Sequence, residues 1–252
     1  HAMVAGLLSN LGGLNRARKR YPEAEQDYLK ALAIYRRSNP DNPAQAPTLI
    51  NLAVVLADQG RLDDAIAHME NALRLRRVNA PEAGDPRITS AEAQLAEFYV
   101  RRERFKDAEI LLEQSIGNQT KRSRETDVVL AASYERLAEV YRRAGRKDKV
   151  ADEKTLLSAA FEARRKLQGP QHESTIITQF LLADAYRRLG NDTEQSRLIR
   201  LARELGRKNF KTLSIMFATD RKLQQKAGSP RTFGTSIGDG VSTGIYPIEV
   251  LL

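Results

Sequence analysis

Aromatic and arginine side chains recur together at three places in this chain: Tyr99-Val100-Arg101-Arg102, Tyr141-Arg142-Arg143 and Tyr186-Arg187-Arg188. A planar guanidinium offers paired N–H donors that match a carboxylate or a phosphate bidentately, so a row of them is chemistry for receiving anions. The same spacing has a second reading. Cations are favoured in the last turn of any helix, where unpaired carbonyls and the helix dipole attract them. Groups that break bonds are scarce by comparison. There is no cysteine, which excludes disulfides, thiolate metal sites and cysteine nucleophiles. His68 and His172 are the histidines beyond His1, and neither has a second His or a carboxylate at metal-ligand spacing. No phosphate-cradling Gly-Lys-Ser/Thr loop, Gly-x-Ser-x-Gly elbow or dinucleotide fingerprint appears. These residues predict binding rather than catalysis, with no cofactor and no metal.

The elements that carry these residues are repetitive. Leu11-Gly12, Leu52-Ala53, Leu95-Ala96, Leu137-Ala138 and Leu182-Ala183 each sit in an apolar stripe of helical period. Each is followed by a short break, as in Gln59-Gly60-Arg61, Ala144-Gly145-Arg146 and Leu189-Gly190-Asn191, and then by a second helical stretch. Glycine just past a helix end takes the left-handed turn without steric cost. The residues that open the second stretch, at 24, 65, 108, 150 and 195, are 41 to 45 positions apart. Small residues at both registers allow two helix backbones to approach, and Tyr28, Met69, Leu112 and Ile199 fill the remaining space. Asp41-Asn42-Pro43 and Gly84-Asp85-Pro86 combine a polar N-cap with proline at the first helical position. The predicted helix pairs are 4–18/21–37, 44–59/61–77, 86–102/105–119, 124–144/147–167 and 173–189/192–207. Lys154 and Gln195 depart from the pattern, standing where a bulky apolar and a small residue are usual.

This pattern resembles the tetratricopeptide repeat, whose basic unit is 34 residues. The longer period here is similar to the kinesin-light-chain-like variant with extended second helices. The likeness is closest in Pro40-Asp41-Asn42-Pro43 running on to Thr48-Leu49-Ile50-Asn51-Leu52-Ala53, and it recurs at Gly169-Pro170-Gln171-His172. It implies an all-α fold, a right-handed superhelical solenoid of about five helix hairpins spanning 4–207, preceded by His-Ala-Met at 1–3 as a vector-derived remnant. It also implies a concave groove lined by the first helix of each pair. By register the groove residues are Asn10, Arg16, Asn51, Gln94, Arg101, Arg136, Arg142, Arg143, Arg187 and Arg188. Asn10 and Asn51 fall where such repeats often hydrogen-bond a bound backbone, and an amide supplies both donor and acceptor. The implied partner is a protein or peptide with an extended, acidic segment, and the implied role is that of an adaptor.

The remainder of the chain differs in composition. Net charge is +9, and nine Lys or Arg stand against Glu204 and Asp220 between 197 and 226. Residues 208–227 are expected to form a basic helix that caps the array, with Phe210, Leu213, Phe217 and Leu223 as its apolar markers. An alternative reading gives this basic end to an anionic surface, nucleic acid or membrane, although aromatics for base stacking are limited to Phe210 and Phe217. Residues 228–252 are rich in Gly, Ser and Thr and end in apolar Ile245-Tyr246-Pro247-Ile248-Glu249-Val250-Leu251-Leu252. Disorder is the default expectation, and docking of this tail on its own array or on a neighbouring copy is the sharper one.

Overall fold

In a computed structural model of the chain, residues 2–79, 84–122 and 127–209 are described, and among them lie ten α-helices and no strand. The expected capping helix at 208–227 and the tail at 228–252 therefore fall almost entirely outside the described residues. Two compact units divide at residue 125.

The first unit holds three helix hairpins: α1 (Ala2–Ala17) with α2 (Tyr21–Ser38), α3 (Gln45–Asp58) with α4 (Leu62–Asn79), and α5 (Pro86–Arg101) with α6 (Phe105–Arg122). Each helix packs on the one before it, with a weaker contact from α1 to α3. The second unit holds α7 (Val128–Arg143) with α8 (Val150–Leu167), and α9 (Glu173–Arg188) with α10 (Asp192–Asn209). A 3-10 turn at Lys147–Lys149 precedes α8. Here too α7 packs on α8, α8 on α9 and α9 on α10.

One local motif makes all five hairpins. The second residue after the first helix has positive φ each time: 59° at Lys19, 82° at Gly60, 60° at Glu103, 65° at Gly145 and 74° at Gly190. The next amide then reaches back five residues: Arg20 to Asn15 O at 2.9 Å, Arg61 to Leu56 O at 2.8 Å, Arg104 to Tyr99 O at 2.8 Å, Arg146 to Tyr141 O at 3.1 Å and Asn191 to Tyr186 O at 2.9 Å. This bond, with a second one nested inside it, is the Schellman closure of a helix C-terminus. Three of the five positions carry the glycine that the conformation favours. Lys19 and Glu103 adopt it with a side chain.

The small-residue register holds where tested. Ala24, Ala65 and Ala108 are fully buried, and so is Ala53. Gly12 is the tightest case, because a Cβ there would stand 2.8 Å from the Tyr28 ring. In the second unit, Leu157, Leu181, Leu182 and Leu198 close around Ala138, Ala183 and Ala185.

Caps match expectation in two places and differ in one. Asp85 accepts from the Arg87 amide at 2.8 Å with Pro86 opening α5, and its hydrogen bonds from Arg87 pull the carboxyl pKa down to about 2. His172 caps α9, its Nδ1 accepting from the Ser174 amide at 3.2 Å. Asp41-Asn42-Pro43, by contrast, lies ahead of α3, which starts only at Gln45. Asn42 Oδ1 accepts from the Ala44 amide at 3.0 Å, so the motif builds a turn before the helix rather than its first residues.

Candidate binding face of the first helices

A residue two positions before the small one lies about 200° round the helix from it. Gly12 faces Tyr28 of its own second helix, so Asn10 points away from α2, and Asn51 and Gln94 stand at the same register in α3 and α5. Asn10 is exposed, and Asn51 and Gln94 are half-buried. None of the three amides hydrogen-bonds to a described residue. The first unit thus presents three amides, one per hairpin on its three first helices, that are not engaged by other described residues.

Side chains around this row tie one first helix to the next. Ser9 and Thr48 hydroxyls are 3.1 Å apart. Arg16 Nε reaches Asp58 at 3.2 Å. Arg101 Nη2 donates to the backbone oxygen of Ala57 at 2.9 Å. The last two contacts fix Arg16 and Arg101 as braces between hairpins.

The second unit uses the same registers differently. Thr178, equivalent to Thr48, donates its hydroxyl to Glu135, which is equivalent to Ser9. The carboxylate of Glu135 is also gripped by Arg164. Arg136, in the amide register, donates to Ala132 O of its own helix at 3.3 Å, and Leu181 in that register is buried. Arg142 pairs with Glu139 at 2.6 Å, and Arg187 pairs with Asp184 at 2.6 Å, again at equivalent positions. Arg188 contacts Asp184 at 3.3 Å and also Glu153. Arg143 is exposed.

The expected arginine row is therefore largely neutralised from within. Burial pushes the carboxyls of Glu139 and Glu153 above the ordinary carboxylate value, opposed by Arg142 and by Arg188 respectively. Each such arginine satisfies a carboxylate that would otherwise be desolvated alone. Of the basic stretch 197–226, α10 carries Arg197, paired with Glu194 at 3.0 Å, and exposed Arg200 and Arg203. Sequence reasoning missed Arg164 as the partner of Glu135. The available signal was a carboxylate at the register that other copies fill with Ser9, Ile50, Ala93 and Phe180.

His68 is half-buried, and burial followed by the charge of Arg36 lowers its pKa. Among the described residues, no three His, Asp or Glu side chains are grouped to hold a metal ion. No described helix is long and apolar enough to cross a membrane.

Comparison with known families now joins this geometry: residues 3–77 match the tetratricopeptide-repeat model. Residues 3–77, the first two hairpins, are tetratricopeptide repeats. Among solved structures, the chain superposes on the nearly identical TPR-like repeats of a putative kinesin light chain of Podosopora anserina. That match has a TM-score of 0.71 at 22% identity and covers 84% of this chain and 99% of that one. BtubC (BKLC) from P. vanneervenii gives a TM-score of 0.68 at 17% identity, covering 95% and 89%. The apo form of RapI gives 0.73 at 17% identity, covering 86% of this chain and 58% of that one. At such identities the likeness speaks for the fold. No curated protein sequence matches the chain.

Proposed function

We propose that this tetratricopeptide chain is a non-enzymatic scaffold that holds an extended segment of another protein along the first helices of its N-terminal unit. The observation that carries this reading is the row Asn10, Asn51 and Gln94: three amides on successive first helices with no hydrogen bond to another described residue. An extended peptide offers alternating N–H and C=O groups, and a carboxamide can meet either. The position of these amides away from the second helices leaves them accessible to such a ligand.

Acidic side chains on the ligand are the favoured complement, given a net charge of +9. In the C-terminal unit, Arg142, Arg187 and Arg188 are already held by Glu139, Asp184 and Glu153. Hydrogen bonding therefore sets the address, and charge contributes a salt-sensitive increment.

Peptides selected by display against the chain test this. Asn51→Ala or Gln94→Ala should weaken the selected peptides by about two- to tenfold each, the range of one lost hydrogen bond. The triple variant with Asn10→Ala should lose binding while its urea midpoint stays unchanged. Undiminished binding by the triple variant would remove the amide row from the site. Binding unaffected by salt would remove the acidic preference alone.

A further inference from the structure

Tyr28 fills the space left by Gly12, and for that packing the ring alone is enough. Met69 and Leu112 occupy the same register in the next two hairpins with no hydroxyl, and both are buried. The Tyr28 hydroxyl is therefore surplus to the fold, and it has no hydrogen-bond partner among the described residues. Burying a hydroxyl without a partner is unfavourable. The residue is 1% exposed, yet its oxygen is not among the fully enclosed polar atoms. A ligand can reach it.

α1 sets the direction of approach. A Cβ at Gly12 would stand 2.8 Å from the ring, and a Cβ at Gly13 would stand 3.7 Å from the hydroxyl oxygen. Gly13 lies about 100° round the helix from Gly12 and about 60° from Asn10. The ring thus enters beneath α1 from the α2 side, and its oxygen comes out beside the amide register. Asn10 stands one turn before Gly13 and Arg16 one turn after it. Between them opens a gap one side chain wide, with the phenol oxygen at its floor.

Val54 and Glu97 hold the Gly13 register in α3 and α5 and are only half-buried, although α2 and α4 pack ahead of them. A hairpin stacked ahead of α1 would leave this register open as well. Among the five hairpins the first alone combines a glycine here with a tyrosine at the packing position.

Burial raises the Tyr28 pKa, and the nearby charges of Arg16 and Asp27 act on it in opposite senses. With those charges opposed, a neutral group is the better complement, and a short one fits the width. A phenol hydroxyl both donates and accepts, as does an aliphatic hydroxyl. We propose that the gap over Gly13 is a specificity subsite for a serine or threonine side chain of the bound segment, held by the Tyr28 hydroxyl. This subsite rests on the peptide-binding reading of the same face, and it specifies one residue of the ligand.

Peptide display against the chain, against Tyr28→Phe and against Gly13→Ala tests it. Phenylalanine keeps the ring, and a methyl at 13 makes only an ordinary contact at 3.7 Å, so both variants should retain their helical circular dichroism. The expected result is Ser or Thr at one fixed position of peptides selected on the chain, and no such preference on either variant. For a synthetic peptide from that set, replacing this Ser or Thr by Ala should weaken binding by about two- to tenfold, as should Tyr28→Phe. The two changes together should cost no more than one alone. Peptides without the preference, the same preference on Tyr28→Phe, or fully additive losses would overturn the subsite. In that event a loss of affinity with Asn51→Ala would show the amide row still standing, whereas a selection yielding no binder would overturn both.

Discussion

Glu135 of α7 and Arg164 of α8 meet as a two-pronged pair, each N···O contact 2.7 Å long, with both side chains 9% exposed. Thr178 of α9 donates to the same carboxylate, so one buried anion joins three helices of the C-terminal unit.

Removing only the cation should be severe. Arg164→Leu strands a desolvated carboxylate and is expected to cost about 3–5 kcal/mol, while Glu135→Leu/Arg164→Leu together should recover most of that loss. Urea unfolding of the two singles and the double decides it. A double variant as unstable as the sum of its singles would mean that the pair contributes packing rather than mutual neutralisation.

Lys19 and Glu103 hold a conformation that the other three hairpins give to glycine. The left-handed region costs a residue with a Cβ about 1–2 kcal/mol, partly returned by glycine's greater freedom when unfolded. Lys19→Gly and Glu103→Gly should each raise stability by about 0.5–1 kcal/mol, and Gly60→Ala should lower it by about 1 kcal/mol. Thermal melts of the three variants show whether the signs are right.

Gly12 and Tyr28 form a matched pair. A methyl group at 12 would press into the buried ring at 2.8 Å, whereas the second and third copies combine Ala53 with Met69 and Ala96 with Leu112. Gly12→Ala should destabilise by about 1–3 kcal/mol through overpacking. Adding Tyr28→Leu should relieve it, and failure of that second change to help would place the strain elsewhere.

Acidity should act through Glu153. Its folded-state pKa is raised by burial, against the opposing charge of Arg188 and with a smaller raising contribution from Asp184. The folded chain then holds this proton more tightly than the unfolded one, so stability falls as pH rises through the window above the ordinary carboxylate value. Glu153→Gln should flatten that part of the melting-temperature profile. A slope unchanged in the variant would assign it to other groups, of which half-buried Glu139 is the nearest alternative.

The hairpins were legible because their cause is local. Gly60, Gly145 and Gly190 mark helix ends by a backbone requirement that needs no knowledge of the neighbours, and α9 begins at Glu173 as its loop chemistry predicts. Lys19 and Glu103 escaped notice because the same requirement is met there by the closing hydrogen bonds, despite an unfavourable residue type. The proposed binding face was legible only by half. Asn10, Asn51 and Gln94 could be placed by register, since direction around a helix follows from spacing. Whether an arginine is available depends on what lies across from it in space. Glu139, three residues from Arg142, is legible from spacing alone, but Glu153 approaches Arg188 from a different helix.

The five left-handed closures have a mechanical corollary. Every hairpin is sealed by bonds that span five residues, and within each unit helices lean chiefly on their immediate neighbours. A load applied at the two ends of such a unit meets no long-range clasp. In an optical trap the chain should yield in short, evenly sized steps and regain its length as readily when relaxed, behaving as a soft spring rather than a brittle link.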